Sequence, residues 1–186
     1  MARVIGGYFA GLILPDSCRV QVWVERLGPF QSVNEGDRGD YGLLGVSDRQ
    51  VEDYLNQLKV NGESIGAQLA CRIENPPAGL GEPVFSKLKS DLASAVTGVG
   101  AVTAFGYGLG FEFGSALGTE VTAQGTSFGG IEGGISTGEA IEFRCAVRPP
   151  STVGEKAKAG RHDPCIAPRI VPVIEAMTQL VLADHL

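Results

Sequence analysis

Apolar side chains recur along this chain with two different periods, and the alternation between them predicts the elements. Residues 2–14 carry Val4, Ile5, Tyr8, Phe9, Leu12 and Ile13 at helical spacing, a stripe expected to face a core. It starts almost at the first residue with no N-cap before it, as in a chain that has been cut. Cys18 to Glu25 changes to a period of two, with Val20, Val22 and Val24 on one side and Arg19, Gln21 and Trp23 on the other, which predicts a half-buried strand. Asn34–Gly45 is polar and glycine-rich, a loop. Ser47-Asp-Arg-Gln50 has the capping-box pattern and opens a helix through Lys59, with Val51, Tyr54, Leu55 and Leu58 on one face. Gln68–Glu74 alternates again, turning Leu69, Cys71 and Ile73 inward until Pro76-Pro77 ends the pairing. Pro83 predicts the first turn of a helix with the stripe Val84, Phe85, Leu88, Leu92, Ala95 and Val96. Beyond it lie strand-like pieces at Ala101–Phe105 and Phe111–Phe113. A further strand runs over Glu139–Arg148, and a last helix turns Ile170, Ile174, Met177, Leu180 and Val181 inward. Strands of this kind interleaved with amphipathic helices predict an α+β fold, helices over a mainly antiparallel β-sheet, without a solenoid repeat.

Composition adds a size and a puzzle. The 186 residues, 44% hydrophobic and 19% charged, suit a single domain spanning residues 1–186 with one core. The 27 glycines are about twice the usual share, and nearly half of them fall between Gly98 and Gly138. The net charge of −6, with no basic cluster beyond Lys156-Ala-Lys158, argues against a nucleic-acid partner held by phosphate contacts but allows a small anion. No apolar run approaches the length of a membrane span and no signal-peptide pattern opens the chain, so no membrane partner and a cytoplasmic location are expected. Cys18, Cys71, Cys145 and Cys165 stand far apart with only His162 and His185 to join them, so reduced, mostly buried thiols are expected rather than a metal site.

Three segments carry candidate chemistry. The glycine-rich region fails the spacings of known nucleotide loops: Gly106-Tyr-Gly108-Leu-Gly110-Phe111 is not GxGxxG, and no GxxxxGK[ST] occurs. What remains is Gly129-Gly-Ile-Glu-Gly133-Gly134-Ile-Ser-Thr-Gly138, which allows a flat ligand to approach the backbone, although tight turns at sheet corners explain the same glycines. Arg148-Pro149-Pro150-Ser151-Thr152 offers a cation, two hydroxyls and exposed N–H groups at the end of a strand, either an anion site or a plain terminating turn. Gly160-Arg161-His162-Asp163-Pro164-Cys165 sets a guanidinium, an imidazole and a carboxylate side by side before a helix. These types suit proton transfer beside an anion, though a His next to an Asp is commonly a surface pair.

Taken together and in this order, the three segments resemble the GGIxGGISxG, KPxxS and GRHDPC signatures of chorismate synthases. Asn75-Pro-Pro-Ala-Gly-Leu-Gly-Glu-Pro-Val-Phe85 is similar to that family's PxGLGxPVFxKL segment, and the resemblance runs from about Val4 to Leu186. It implies a lyase of the shikimate pathway: trans-1,4-elimination of phosphate from 5-enolpyruvylshikimate 3-phosphate, giving chorismate for aromatic amino acid biosynthesis, with reduced FMN required but no net redox change. It implies FMN contacts at Gly100, Ala101, Gly133, Arg148, Pro149, Pro150, Ser151, Thr152 and Arg161, a homotetramer, and an aspartate near the reactive flavin edge at Asp163. Asp163 and His162 are thus the candidate catalytic residues. Glycines that admit a flat ring, two arginines for an anion and a carboxylate to hold a proton agree with that assignment in type.

The departures from the family pattern are also informative. Its GESHG and RPSHAD segments, with their histidines, have no counterpart here, so the chain is expected to be the C-terminal portion of such an enzyme and inactive alone. Glu63-Ser64 imitates GESHG, but Ile65 replaces the histidine and no role is carried over. Arg148 stands where the family usually has lysine, which keeps charge but not geometry. A non-catalytic flavin- or anion-binding remnant that assembles through its sheet is the alternative function.

Overall fold

The computed structural model describes residues 1–33, 36–123, 128–158 and 163–186. Along the chain these form α1 (Ala2–Gly11), β1 (Arg19–Leu27), β2 (Phe30–Gln31), α2 (Asp48–Asn61), β3 (Ala67–Glu74), α3 (Leu88–Thr97) and β4 (Val102–Tyr107). There follow a 3-10 turn at Gly110–Gly114, α4 (Gly118–Ala123), the short hairpin β5 (Ile131–Glu132) and β6 (Ile135–Ser136), β7 (Ile141–Val147), α5 (Glu155–Lys158) and α6 (Ala167–Asp184). β1, β3, β4 and β7, with the short β2 at one edge, make one antiparallel sheet in the order β2-β1-β3-β7-β4. The α+β expectation holds, and α1, α3 and α6 are layered on one face of that sheet or on one another.

Alternation explains why these strands share a face. Val22 pairs with Cys71 and Val24 with Leu69, while Leu69, Cys71 and Ile73 stand opposite Cys145, Phe143 and Ile141. All eight of these side chains are at most 3% exposed. At about 25 cal/mol per Å² of apolar surface, this row is the main source of stability in the sheet. The other face stays polar: Arg72 donates to its register partner Glu142 at 2.7 Å and Arg144 donates to Glu25 at 2.8 Å. The free edge of β1 is shielded by the loop the sequence predicted, since Gly42 accepts the Val24 N–H at 2.8 Å and Arg38 donates to the Val22 carbonyl at 2.7 Å.

Helix α6 is the central support. Ile170, Ile174 and Leu182 face the core, with Thr178 between them donating to the Ile174 carbonyl at 2.8 Å. Pro172 lies inside the helix and lacks the N–H that would bond one turn back, yet its ring points to solvent and the helix continues. Helix α2 ends on Gly62, whose φ of 70° is the left-handed conformation that a helix stop requires. Ser47 does occupy its N-cap position, but makes no side-chain capping bond.

Three expectations are overturned. The α1 stripe does not face the core: Val4, Ile5, Tyr8, Phe9, Leu12 and Ile13 are exposed, and the helix packs on α6 through Gly7 and Ala10 instead. A Cβ on Gly7 would lie 2.3 Å from that of Ala176, so close approach through small residues wins over burial of large ones. Helix α3 begins at Leu88 rather than Pro83, leaving Val84 and Phe85 exposed, because the Leu88 N–H is taken by the Gly134 carbonyl of the β5–β6 hairpin at 2.8 Å. Phe111–Phe113 lies within the 3-10 turn rather than in a strand. No helix among the described residues is long and apolar enough to cross a membrane.

Candidate functional site

Of the expected site residues, Gly100, Ala101 and the Arg148–Thr152 segment lie together at the end of the sheet where β7 stops and β4 starts. The Arg148 N–H donates to the carbonyl of Ala101 at 2.9 Å, joining the Arg148–Thr152 segment to the Gly100-Ala101 turn. Ala101 holds a φ of 73°, a conformation that costs an alanine roughly 1 kcal/mol or more and is kept here by its neighbours. Gly100 beside it is exposed, with no atom within 4 Å of where a Cβ would stand. The Arg148, Pro149, Ser151 and Thr152 side chains are exposed and Pro150 is half-buried. Among the described residues the Arg148 guanidinium makes no ion pair.

A short turn after α2 gathers two of the chemical segments. Ser64 Oγ donates to the carbonyl of Pro150 at 2.6 Å, and the Ile65 N–H donates to the carbonyl of Pro164 at 2.8 Å, while Gly154 donates its N–H back to Gly62 at 2.7 Å. Ser64 therefore matters to the site, as a clamp rather than as a reacting group. Sequence reasoning set it aside because it tested Glu63-Ser64 only against the GESHG pattern. A small polar turn leaving a helix through glycine was the available signal.

Asp163, next to Pro164, is half-exposed and ion-paired with Arg169 in the first turn of α6. Arg161 and His162 lie outside the described residues. Burial pushes the Cys165 thiol up, so it stays protonated at neutral pH and offers no nucleophile beside Asp163. Burial raises the thiols of Cys71 and Cys145 as well, the latter to about 12, and both sit in the core as expected.

Gly133 lies elsewhere. It is the exposed tip of the β5–β6 hairpin, with a φ of 61° and open space around it. The hairpin is tied to the start of α3 and to the preceding loop, where the buried Ser136 Oγ donates to Pro77 at 2.6 Å and accepts the Leu80 N–H at 2.8 Å. Gly100 and Ala101 follow the other end of α3, a helix of 10 residues, which is about 15 Å long. Within this chain the hairpin is thus not gathered with the Arg148 cluster. A concavity of about 800 Å³ opens on the polar sheet face between Arg72, Asn75, Gly108, Glu142 and Arg144. Its two arginines are already bonded to Glu142 and Glu25, so the unpaired cation of Arg148 marks the better anion site.

Comparison with known proteins identifies the family and the fold. The family described as chorismate synthase matches residues 1–186. The chorismate synthase of Bdellovibrio bacteriovorus is 47% identical, covering 98% of this chain and 52% of that protein. The chorismate synthase of Prochlorococcus marinus (strain MIT 9312) is 35% identical, covering 100% of this chain and 61% of that protein. A crystal structure of a chorismate synthase superposes with a TM-score of 0.81 at 24% identity, covering 99% of this chain and 61% of that one, which establishes the shared fold. The chain spans about half to three-fifths of these relatives' length. It belongs to the chorismate synthase family.

Proposed function

We propose that this chain is the flavin-binding part of a chorismate synthase, acting on 5-enolpyruvylshikimate 3-phosphate by trans-1,4-elimination of phosphate and a proton to give chorismate. The observation that carries the reading is the junction of Ala101, Arg148 and the Pro150–Thr152 segment at one open sheet end, with an exposed guanidinium and two exposed hydroxyl side chains that have no partner among the described residues. These residues suit reduced FMN in three ways. Gly100 leaves room for a flat ring, Arg148 answers the negative charge of a phosphate or a reduced ring, and Ser151 and Thr152 add donors. Reduced FMN, when bound, supplies the electron-rich ring that the family's elimination needs without net oxidation or reduction.

Residues of this chain then have distinct tasks. Arg148 through Thr152 bind and orient the anion, and Pro149 and Pro150 stiffen the segment that does so. Asp163, held by Arg169, keeps a proton-accepting carboxylate at the edge of the cluster, and His162 and Arg161 complete the same segment. Homotetrameric assembly, a cytoplasmic setting and a place in aromatic amino acid biosynthesis are part of the same reading, by resemblance to the family. Turnover requires the part of the relatives that this chain does not span.

Anaerobic titration of the 186-residue chain with reduced FMN, followed by flavin absorbance, tests the reading. Saturable binding is expected, weakened about 10- to 100-fold in Arg148→Ala, the worth of one charge-assisted hydrogen bond of roughly 1.5–3 kcal/mol. Absence of binding, or equal affinity in the variant, overturns it.

A further inference from the structure

Two arginines from distant parts of the chain meet at one short turn. Helix α3 stops at Thr97, and Gly98 to Ala101 lead into β4, with Val99 buried as the anchor and Gly98 and Gly100 exposed. At the near end of the turn, Arg3 of α1 donates from Nη2 to the Gly98 carbonyl at 3.4 Å. At the far end, the Ala101 carbonyl accepts the Arg148 N–H at 2.9 Å. Gly98 and Ala101 are three residues apart, so no more than about 11 Å separates their Cα atoms. Both arginine side chains are exposed, and among the described residues neither makes an ion pair. Arg38, Arg72, Arg144 and Arg169, by contrast, each hold a carboxylate. With 21 acidic residues against 15 basic ones, carboxylates are not scarce in this chain. Two uncompensated like charges at one turn repel each other, and an anion between them reverses the sign of that interaction. Helix capping accounts for Arg3 only in part. The carbonyl end of α3 carries a partial negative charge that a guanidinium offsets, yet this bond is long and uses one donor of five.

We propose that Arg3 is the second cation of the Arg148 anion site, and that the two guanidiniums grip one phosphate-type dianion beside the Gly98–Ala101 turn. Each offers a planar pair of donors that matches two phosphate oxygens, and a dianion answers both charges at once. Gly100, with no atom within 4 Å of where a Cβ would stand, leaves the backbone of the turn open to the ligand. The same chemical group is carried by free phosphate, by the FMN tail and by a phosphorylated substrate. This site rests on the Arg148 part of the function proposed above, not on the flavin ring.

Inorganic phosphate is the first probe, titrated into the 186-residue chain at low salt and followed by isothermal calorimetry. Saturable binding is expected, weakened about tenfold or more in Arg3→Gln and again in Arg148→Ala. The Arg3→Gln side chain keeps an N–H for the Gly98 carbonyl and loses only the charge, so the urea midpoint should stay where it is. Arg3→Lys keeps the charge and should recover part of the affinity. FMN and riboflavin then separate the sources. A loss in Arg3→Gln for FMN but not for riboflavin, which has no phosphate, assigns the site to the FMN tail; a loss for inorganic phosphate alone assigns it to a phosphorylated substrate. Phosphate binding without FMN binding would remove the flavin reading and leave the two-arginine site standing. No saturable phosphate binding, equal affinity in Arg3→Gln, an equal loss for FMN and riboflavin, or a loss that tracks a fall in the urea midpoint overturns the proposal, the last by making Arg3 a helix cap.

Discussion

Arg169 grips Asp163 end on: Nη1 lies 2.6 Å from Oδ2 and Nη2 donates to Oδ1 at 3.2 Å. The carboxylate is therefore oriented by α6, the most deeply supported helix of the fold, while both side chains keep contact with solvent. An exposed pair of this kind is worth about 0–1 kcal/mol. Asp163→Asn should thus shift the urea midpoint by no more than that, while lowering chorismate formation in the complemented, FMN-loaded assembly by at least about tenfold. A stability loss of several kcal/mol would make Asp163 a structural residue instead.

At Arg148 the geometry of the cation is separable from its charge. Arg148→Lys should retain part of the FMN affinity lost in Arg148→Ala, because the ammonium keeps the charge but not the planar pair of donors. Binding by the unaltered chain should weaken as salt is raised. Gly100→Val, placed where a Cβ meets nothing, should leave the thermal midpoint unchanged and still weaken FMN. If flavin titrations are the same for all three variants, the anion lies elsewhere.

The α1–α6 contact predicts a pair of coupled substitutions. Gly7→Ala forces a Cβ to 2.3 Å from the Cβ and 2.4 Å from the Cα of Ala176, so a loss of about 1–3 kcal/mol is expected in urea unfolding. Ala176→Gly in the same chain should restore part of that loss and no more, since the crowded Cα remains. Simple addition of the two single effects would mean that the helices separate freely.

Alkaline pH should act through the buried thiols. Burial raises Cys145 from 9.0 to about 12 and Cys71 in the same direction, so the folded chain holds protons that the unfolded chain releases. This contribution is complete below about pH 9 and is lost as pH climbs toward 12, at up to about 1.4 kcal/mol per pH unit for each thiol. Cys145→Ala should flatten the fall in urea midpoint between pH 9 and pH 10.5. Parallel curves for the two proteins would rule out this origin.

The strands were legible because each has one buried face: Leu69, Cys71 and Ile73, and likewise Ile141, Phe143 and Cys145, alternate and are at most 3% exposed. Helix α1 was misread for the opposite reason. Its period was right, but Gly7 and Ala10 carry no hydrophobic signal, and periodicity does not tell which side meets α6. Val84 and Phe85 continue the α3 spacing yet lie outside it, since the bond from Leu88 to Gly134 comes from a hairpin 46 residues along the chain. Of the site, the Arg148 segment and Asp163 could be named from their motifs. The hydrogen bonds that bring Ala101, Ser64 and Pro164 to them are long-range contacts that leave no mark on local sequence.

The turn from Gly62 to Ile65 holds Pro150 through Ser64, Pro164 through Ile65 and Gly154 through Gly62. The spacing between the anion-binding arm and the carboxylate arm is therefore inherited from this one turn rather than set by either arm. Lengthening it by one residue would displace both arms together, as a common hinge pin does, whereas an insertion in α5, beyond the Gly154 contact, would leave their relative placement intact.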